Sequence, residues 1–570
     1  LFSVSCFTHN LFKEPDMTSR EIEAALAIHP ERLRAILHQL HDGGRPPTPW
    51  DVKVERLLNG LRDPHLYIGR TVRDGIPWLL ALELLASHGH IIGGSGTGKT
   101  ALCLTPLALQ LIARGDASVV VLDAKGDRSL FWSSFIEAAR TGLPFRWFTI
   151  EPGCASFSFN PLTQTYDQDR TLNASAQSEL ASLSLDHGDE YGASWYTAGH
   201  LEIITAFFER FPDIRSYADF LRYAEEPGSY IATNTDMDSA RHLRMVLRQL
   251  AAIAPLNISE SSRPAARPEV LRNGIDLADV VTRKQVVYFN LPSLEERITA
   301  KSVMRHAMFG VVQAAKTVSR TRKLVPVYLI VDEAQQVLSQ HTKILLEMAR
   351  SMGVHLILSH QSVDQLRTAH WDIASVVEGS TTFKLNFEAS SLAALQSMIA
   401  YGGEERVPTL SYTQRLHPGF KENDDDAFSP RLAHPRGEFE PPLATVGETY
   451  RPVLTAQQIL AVSAHPLRAF ARSRSDGGLT QYAGKWVEIE CEFPITKDEY
   501  NQRNETPIPA EHPLCITVES GRKVPRHAPL TNKPLPVQSP PPSVDQAIAA
   551  RLKALRNSIR GKPSDPLAEE

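Results

Sequence analysis

Residues 88–100 read HGHIIGGSGTGKT, and this stretch decides the fold. Within it, Gly93-Gly94-Ser95-Gly96-Thr97-Gly98-Lys99-Thr100 fits the pattern GxxxxGK[ST]. The apolar run His90-Ile91-Ile92 precedes the pattern, and ALCLTPLALQLIA (101–113), apolar at helical spacing, follows it. A strand, a glycine-rich loop and a helix in that order make a phosphate-binding loop. Glycines are required because backbone N–H groups must close around a phosphate, and side chains would block the approach. The helix N-terminus adds the positive end of its dipole beneath the β-phosphate. Lys99 then neutralises β/γ charge and the Thr100 hydroxyl ligates Mg²⁺. The expected ligands are therefore ATP and Mg²⁺.

Working outward, short apolar runs alternate with helical stretches from residue 65 onward. Candidate strands are LYIG (66–69), HGHII (88–92), SVVVLD (118–123), FRWFTI (145–150), QVVYFNL (285–291), PVYLIVD (326–332), GVHLILS (353–359) and TFKLNF (382–387). Runs apolar on both faces and alternating with helices mark an α/β fold with a mainly parallel sheet covered on both sides.

Two further pieces of a nucleotide site follow. The strand Val327-Tyr328-Leu329-Ile330-Val331 ends in Asp332-Glu333. Beside a phosphate-binding loop, the first acid organises Mg²⁺ and the second polarises the attacking water. Downstream, VHLILS leads into His360-Gln361, which places Gln361 at the C-terminal end of a strand, the edge where α/β sheets bind ligands. Arg350, in the segment Ala349-Arg350-Ser351-Met352-Gly353, reads from the residues alone as a surface charge at a helix end.

The chain of 570 residues is long enough for three or four domains. With 42% hydrophobic and 22% charged residues it is neither fully disordered nor collagen-like. A net charge of −5 excludes a polycation that coats nucleic acid in bulk, though not a local basic surface. The five cysteines, Cys6, Cys103, Cys154, Cys491 and Cys515, are widely separated, which speaks for a reducing compartment and against a disulfide framework or zinc site. No HExxH or Cys/His cluster accompanies the twenty histidines, and Thr97 breaks a serine-hydrolase GxSxG elbow. The most apolar stretch, Ile76 to Ala86, is too short to span a bilayer and carries Glu83. The expected location is cytoplasmic, with at most peripheral attachment at the inner membrane. The chain opens on Leu1, and Met17 directly precedes a helix start. The first sixteen residues therefore read as a translation artefact or a disordered arm.

These signals divide the chain. Residues 1–64 form an arm and a small helical region, starting at the capping box Thr18-Ser19-Arg20-Glu21. Residues 65–164 are the first part of the nucleotide-binding core. In residues 165–262 the strand signal disappears, and helical patterns such as GHLEIITAFFERF point to an all-α insertion. Residues 263–402 complete the core, and 403–443, polar and acidic at Glu422-Asn423-Asp424-Asp425-Asp426, read as a loop. A last folded segment is expected at 444–505, a Pro-rich linker at 506–543, and a tail at 544–570. The tail carries an amphipathic helix with Val544, Ile548, Leu552, Leu555 and Ile559 on one face.

HGHIIGGSGTGKT, VVVLDAKGD (119–127), FNPL (159–162), VVYFNLPS (286–293) and VDEAQQVL (331–338) with ARSMGVHLILSHQSVDQL (349–366) together resemble the TraG/TraD-type coupling ATPases of conjugative and type IV secretion systems. Those belong to the wider FtsK/HerA group of DNA motors, and the helical insertion falls where coupling proteins carry their all-α domain. The resemblance implies a RecA-like P-loop NTPase core and a hexameric ring that hydrolyses ATP to translocate DNA. Relaxase or secretion-channel proteins are the implied partners. It makes Lys99 and Thr100 the nucleotide and Mg²⁺ contacts, Asp332 the Mg²⁺-organising acid, Glu333 the catalytic base and Gln361 the coupling sensor. Arg350 matches the family's arginine finger by its place in ARSMG. Asp123 and Lys125 match a family signature without an assigned role. Membrane-bound coupling proteins carry N-terminal transmembrane helices, and this chain shows none; where the family often has Asn-Cys, it has Glu378-Gly379. Two other readings stay open, a HerA-like translocase in DNA-end processing or defence and a nucleotide-gated docking module that recruits relaxase or effector proteins.

Overall fold

The computed structural model describes residues 49–519, apart from 60–63, 168–169, 172–202, 212–213, 227–228, 230–237, 259–269, 271–272, 293–296, 340–341, 368–371, 390, 414–442, 463 and 475–483. The helix expected after Met17 and the amphipathic tail helix lie outside these residues.

The core is one eleven-stranded α/β sheet, mixed but mostly parallel. In chain order its strands are β1 (His65–Thr71), β2 (Pro77–Ala81), β3 (Gly89–Ile92), β4 (Ser118–Asp123) and β5 (Phe145–Thr149). Three short strands outside it follow, β6 (Ala155–Ser156), β7 (Thr165–Asp167) and β8 (Arg170–Thr171). The sheet continues with β9 (Val286–Asn290), β10 (Val327–Asp332), β11 (Val354–His360) and β12 (Phe383–Asn386). After a hairpin of β13 (Glu404–Thr413) and β14 (Leu443–Pro452), β15 (Arg468–Ser473) and β16 (Val487–Glu490) complete it.

Seven strands run parallel in the order β12-β3-β11-β10-β4-β9-β5. All of these except β5 are buried at every position. Apolar runs such as Ser118-Val119-Val120-Val121-Leu122 have that composition because helices cover both faces and leave no side for water. Helices Thr105–Arg114, Arg128–Thr141, Arg297–Val318 and Thr342–Ala349 pack against these strands and each other. The eight strands expected from the sequence all lie in this sheet.

Four further strands extend it antiparallel, in the order β2-β1-β16-β15, with β15 against β12. Neither β15 nor β16 was legible, because RAFARS and VEIE alternate charge with apolar residues over only a few positions. The charges pair across the strands instead, Arg468 with Glu488 at 3.1 Å. The segment 444–505 is therefore not a separate folded piece, since β15 and β16 belong to the main sheet.

Three other expectations need correction. The stretch 403–443, read as a loop, opens on β13, which pairs residue for residue with β14 from Glu404↔Pro452 to Thr413↔Leu443. Cross-strand pairs Arg406–Glu448 (3.2 Å) and Arg451–Glu405 (3.3 Å) hold this polar hairpin, so its composition disguised it. The linker expected from residue 506 does not begin there. Ile508, Cys515 and Val518 are buried, and β17 (Ile516–Thr517) pairs antiparallel with β6. Trp132 Nε1 donates to the Thr506 carbonyl at 3.0 Å, and buried Arg503 donates to Ser133 Oγ at 2.7 Å, which straps this segment to helix Arg128–Thr141. The region 165–262 begins with the β7–β8 pair before helices 203–210, Tyr217–Glu225 and Asp238–Ala251.

Helix Arg128–Thr141 begins at Asp127, whose carboxylate accepts the Leu130 amide at 2.9 Å. Asp127→Ala should cost about 1 kcal/mol of stability by leaving that donor unpaired. Urea denaturation should show a lowered midpoint at unchanged slope. Among the described residues, no helix is long and apolar enough to cross a membrane.

Candidate active site

The glycine-rich loop leaves the C-terminal end of β3, and the Gly93 amide donates to the His360 carbonyl of β11 at 3.2 Å. Gly96 and Gly98 have φ of +81° and +91°, a region closed to most side chains. A Cβ on Gly93 would lie 2.6 Å from Thr97 Oγ1 and 2.8 Å from Phe387 Cβ, so the cradle is formed by backbone because nothing larger fits. Thr97 Oγ1 closes the loop on the Gly94 carbonyl at 2.9 Å, while Ser95 is exposed at its tip.

Lys99 is buried and folds back onto the loop, donating to the carbonyls of Gly93 and, at 2.9 Å, Gly94. Burial lowers its pKa, while Glu333 and Asp332 oppose that shift. Thr100 opens a turn of π-helix that passes into helix Thr105–Arg114. Its hydroxyl donates to Asp332 Oδ2 at 3.0 Å, although the two residues are 232 positions apart. Burial raises the Asp332 pKa and the Glu333 charge adds to this, against the Thr100 hydrogen bond.

The strand order explains how these pieces meet. Strand β11 lies between the loop's strand β3 and the acid-bearing β10, so its C-terminal end falls between Lys99 and Asp332. Gln361 stands there, and its Nε2 donates to Glu333 Oε2 at 3.1 Å. Glu333 has φ +53°, a left-handed conformation shared among the described non-glycine residues only with His88. Such strain persists only where the surroundings enforce it.

The donor set fits a nucleoside triphosphate with Mg²⁺. The loop's backbone would hold the phosphates with Lys99, and Thr100 with Asp332 would hold the ion. The ion would supply charge neutralisation at the phosphates.

Asp123 ends β4 directly beside Asp332 in the register. It is fully buried and accepts the amides of Lys125 (2.9 Å), Gly126 (2.8 Å) and Asp127 (2.7 Å) and the Tyr288 hydroxyl (2.7 Å). Burial and the neighbouring Asp332 nevertheless push its pKa up to about 7. Asp123 thus shapes the loop at the edge of the site. Its place in VVVLDAKGD could be quoted from the sequence, but its four donors could not.

The C-terminal portion of this architecture is recognisable by comparison. Residues 326–462 match the family described as the TraM recognition site of TraD and TraG. The chain carries a TraG/TraD C-terminal domain. This domain runs from β10 through the hairpin to helix Ala456–Val462, so Asp332, Glu333, Arg350 and Gln361 belong to it and the phosphate-binding loop does not. Comparison with curated proteins gives no match. Among solved structures, the unbound monoclinic form of the bacterial conjugative coupling protein TrwBdeltaN70 is similar at 13% identity and TM-score 0.49, covering 78% of this chain and 91% of that one. The plasmid coupling protein TrwB in complex with ADP and Mg²⁺ is similar at 14% identity and TM-score 0.49, over 80% and 94%. VirB4 of Thermoanaerobacter pseudethanolicus is similar at 16% identity and TM-score 0.36, over 59% and 87%.

Within the TraG/TraD domain, Arg350 stands apart from the other candidates. It is exposed on the turn that precedes β11, whereas Gln361 follows that strand. A seven-residue strand spans about 23 Å, so Arg350 lies at the opposite edge of the sheet from its own chain's phosphate-binding loop. Its neighbours there are His88 and His355, held at low pKa mainly by burial, with the Arg350 charge adding to the effect. These histidines serve the core. The amide of Leu356 donates to His88 Nδ1 at 3.0 Å, and His355 Nδ1 contacts the Ala86 carbonyl at 2.9 Å. Among the described residues no cluster of three His, Cys, Asp or Glu side chains could hold a metal ion by itself.

Proposed function

We propose that this chain is an ATPase of the coupling-protein type, a motor with a RecA-like core that binds and moves DNA as a homohexameric ring. The observation that carries the reading is the contact of Thr100 with Asp332 at 3.0 Å beside the contact of Gln361 with Glu333 at 3.1 Å. Three sequence motifs, the glycine-rich loop with Lys99 and Thr100, the strand end Asp332-Glu333, and Gln361, converge on one edge of a parallel sheet, an arrangement suited to phosphoryl transfer to water. In this reading Lys99 and the loop backbone bind the triphosphate, and Asp332 with Thr100 positions Mg²⁺. Glu333 accepts a proton from the attacking water, and Gln361 reports the state of the site along β11. Arg350 serves the nucleotide of an adjacent subunit, for which its place at the far sheet edge is suited.

The DNA substrate follows from the TraG/TraD resemblance, and so does a protein partner. The match to a domain described by TraM recognition supports docking on the segment 326–462. The test is ATP hydrolysis by the purified chain with and without single- and double-stranded DNA. Turnover that rises several-fold with DNA is expected and would set the motor apart from a docking module. Turnover indifferent to both forms of DNA would refute the DNA part and leave the ATPase standing.

A further inference from the structure

Glu333 is held by two side-chain amides, and one of them was not among the residues expected to act. Gln335 Nε2 donates to Glu333 Oε2 at 2.5 Å, the same oxygen that Gln361 contacts. The other oxygen, Oε1, has no hydrogen-bond partner among the described residues. The local backbone produces this arrangement. At φ +53° Glu333 turns the chain off the end of β10 into the short turn Ala334–Gln336, closed by the Gln336 amide on the Glu333 carbonyl at 2.9 Å. That fold-back carries the side chain two positions on against the carboxylate. Gln335 Oε1 is buried and without a hydrogen-bond partner. An orphaned amide oxygen costs stability, and turning the amide over would set that oxygen against the carboxylate. The residue therefore faces Glu333 with its only satisfied group, the N–H donor.

We propose that Gln335 is a positioning residue for hydrolysis, holding Glu333 Oε2 so that Oε1 is left to accept a proton from water. The proposal rests on the reading of Glu333 as the base. Gln361 follows a separate strand, β11, whereas Gln335 belongs to the same turn as Glu333. Orientation of a base by a third group is a general requirement of such sites.

The test uses the full chain and Gln335→Met, which keeps length and removes the donor, with Gln335→Leu as a second apolar replacement. Four readouts are taken: kcat for ATP, binding of a fluorescent ATP analogue, amide hydrogen exchange of the 332–337 segment, and single-turnover hydrolysis. Both variants should lose about 10- to 100-fold in kcat, as removal of an orienting partner does elsewhere. Affinity for the analogue should stay within about twofold, because ground-state binding is untouched. Exchange at the 334–337 turn should quicken. In single-turnover assays, Gln335→Met should add no further loss to Glu333→Gln, since the two residues act as one unit. Wild-type kcat in Gln335→Met, affinity falling in step with kcat, or independent losses in the double variant would each overturn the proposal. Normal turnover in Glu333→Gln alone would instead overturn the base assignment beneath it.

Discussion

Lys99→Ala should abolish ATP hydrolysis, and Glu333→Gln should leave ATP bound but uncleaved. The two outcomes differ because the two side chains act at different stages. Lys99 is a buried cation among the loop carbonyls, so its removal takes away charge complementarity to the phosphates in both ground and transition states. Loss of such a clamp costs at least about 10²–10³ in rate and weakens binding as well. As the proposed base, Glu333 would be needed only when the water is deprotonated, a contribution on the order of 10²–10⁴. Nucleotide titration together with single-turnover hydrolysis separates the cases. Normal turnover in either purified variant would end the site assignment.

The second large effect belongs to Arg350. Arg350→Ala should bind nucleotide normally and lose most hydrolysis, because charge gathers on the γ-phosphate during cleavage and a guanidinium can meet two oxygens at once. Fingers of this kind contribute on the order of 10³–10⁵ in rate. The geometry makes the prediction specific to assembly. Arg350 stands before β11 and the phosphate-binding loop follows β3, at opposite ends of a parallel pair. A subunit cannot easily serve itself, but a neighbour in a ring can be served. Mixing Arg350→Ala with Lys99→Ala subunits should therefore restore part of the activity, at interfaces that pair an intact loop with an intact finger. The restored rate should rise with protein concentration and with DNA. If Arg350→Ala hydrolyses ATP at the normal rate, the finger assignment fails. If mixing restores nothing while rings still form, action between subunits is the part to discard.

Both predictions draw on residues that could be named before any coordinates, and the reason is chemical. A loop that must close its backbone around a phosphate tolerates few substitutions, so the reading of Gly93, Gly98, Lys99 and Thr100 as such a loop rests on residue types at fixed spacing. The strand ending in Asp332-Glu333 is legible for a related reason, since a buried parallel strand must be apolar until it reaches the edge where water and ligand begin. Gln335 was not legible. One more glutamine in AQQVL carries no signal, and its contact with Glu333 depends on a single backbone dihedral of +53°.

The same division holds for the whole chain. The α/β class, the eight strands placed in the sheet, the glycine-rich loop and the acids that face it could be read from the residues alone. These are local patterns of hydrophobicity and spacing, set by burial on both faces and by backbone access to phosphate. The assembled core shows that β15 and β16, from far along the chain, extend the sheet past β12, and that Arg503 and Thr506 hold onto helix Arg128–Thr141 while Ile516 and Thr517 pair with β6. Such strands are short and half polar, and their stability comes from partners more than 80 residues away or from cross-strand charge pairs, which no local window contains. The tertiary structure likewise decided that β11 lies between β3 and β10, and so brought Gln361 to Glu333. Strand order comes from the packing of helices and crossovers over the entire sheet, and it is a property of the assembled core rather than of any one segment.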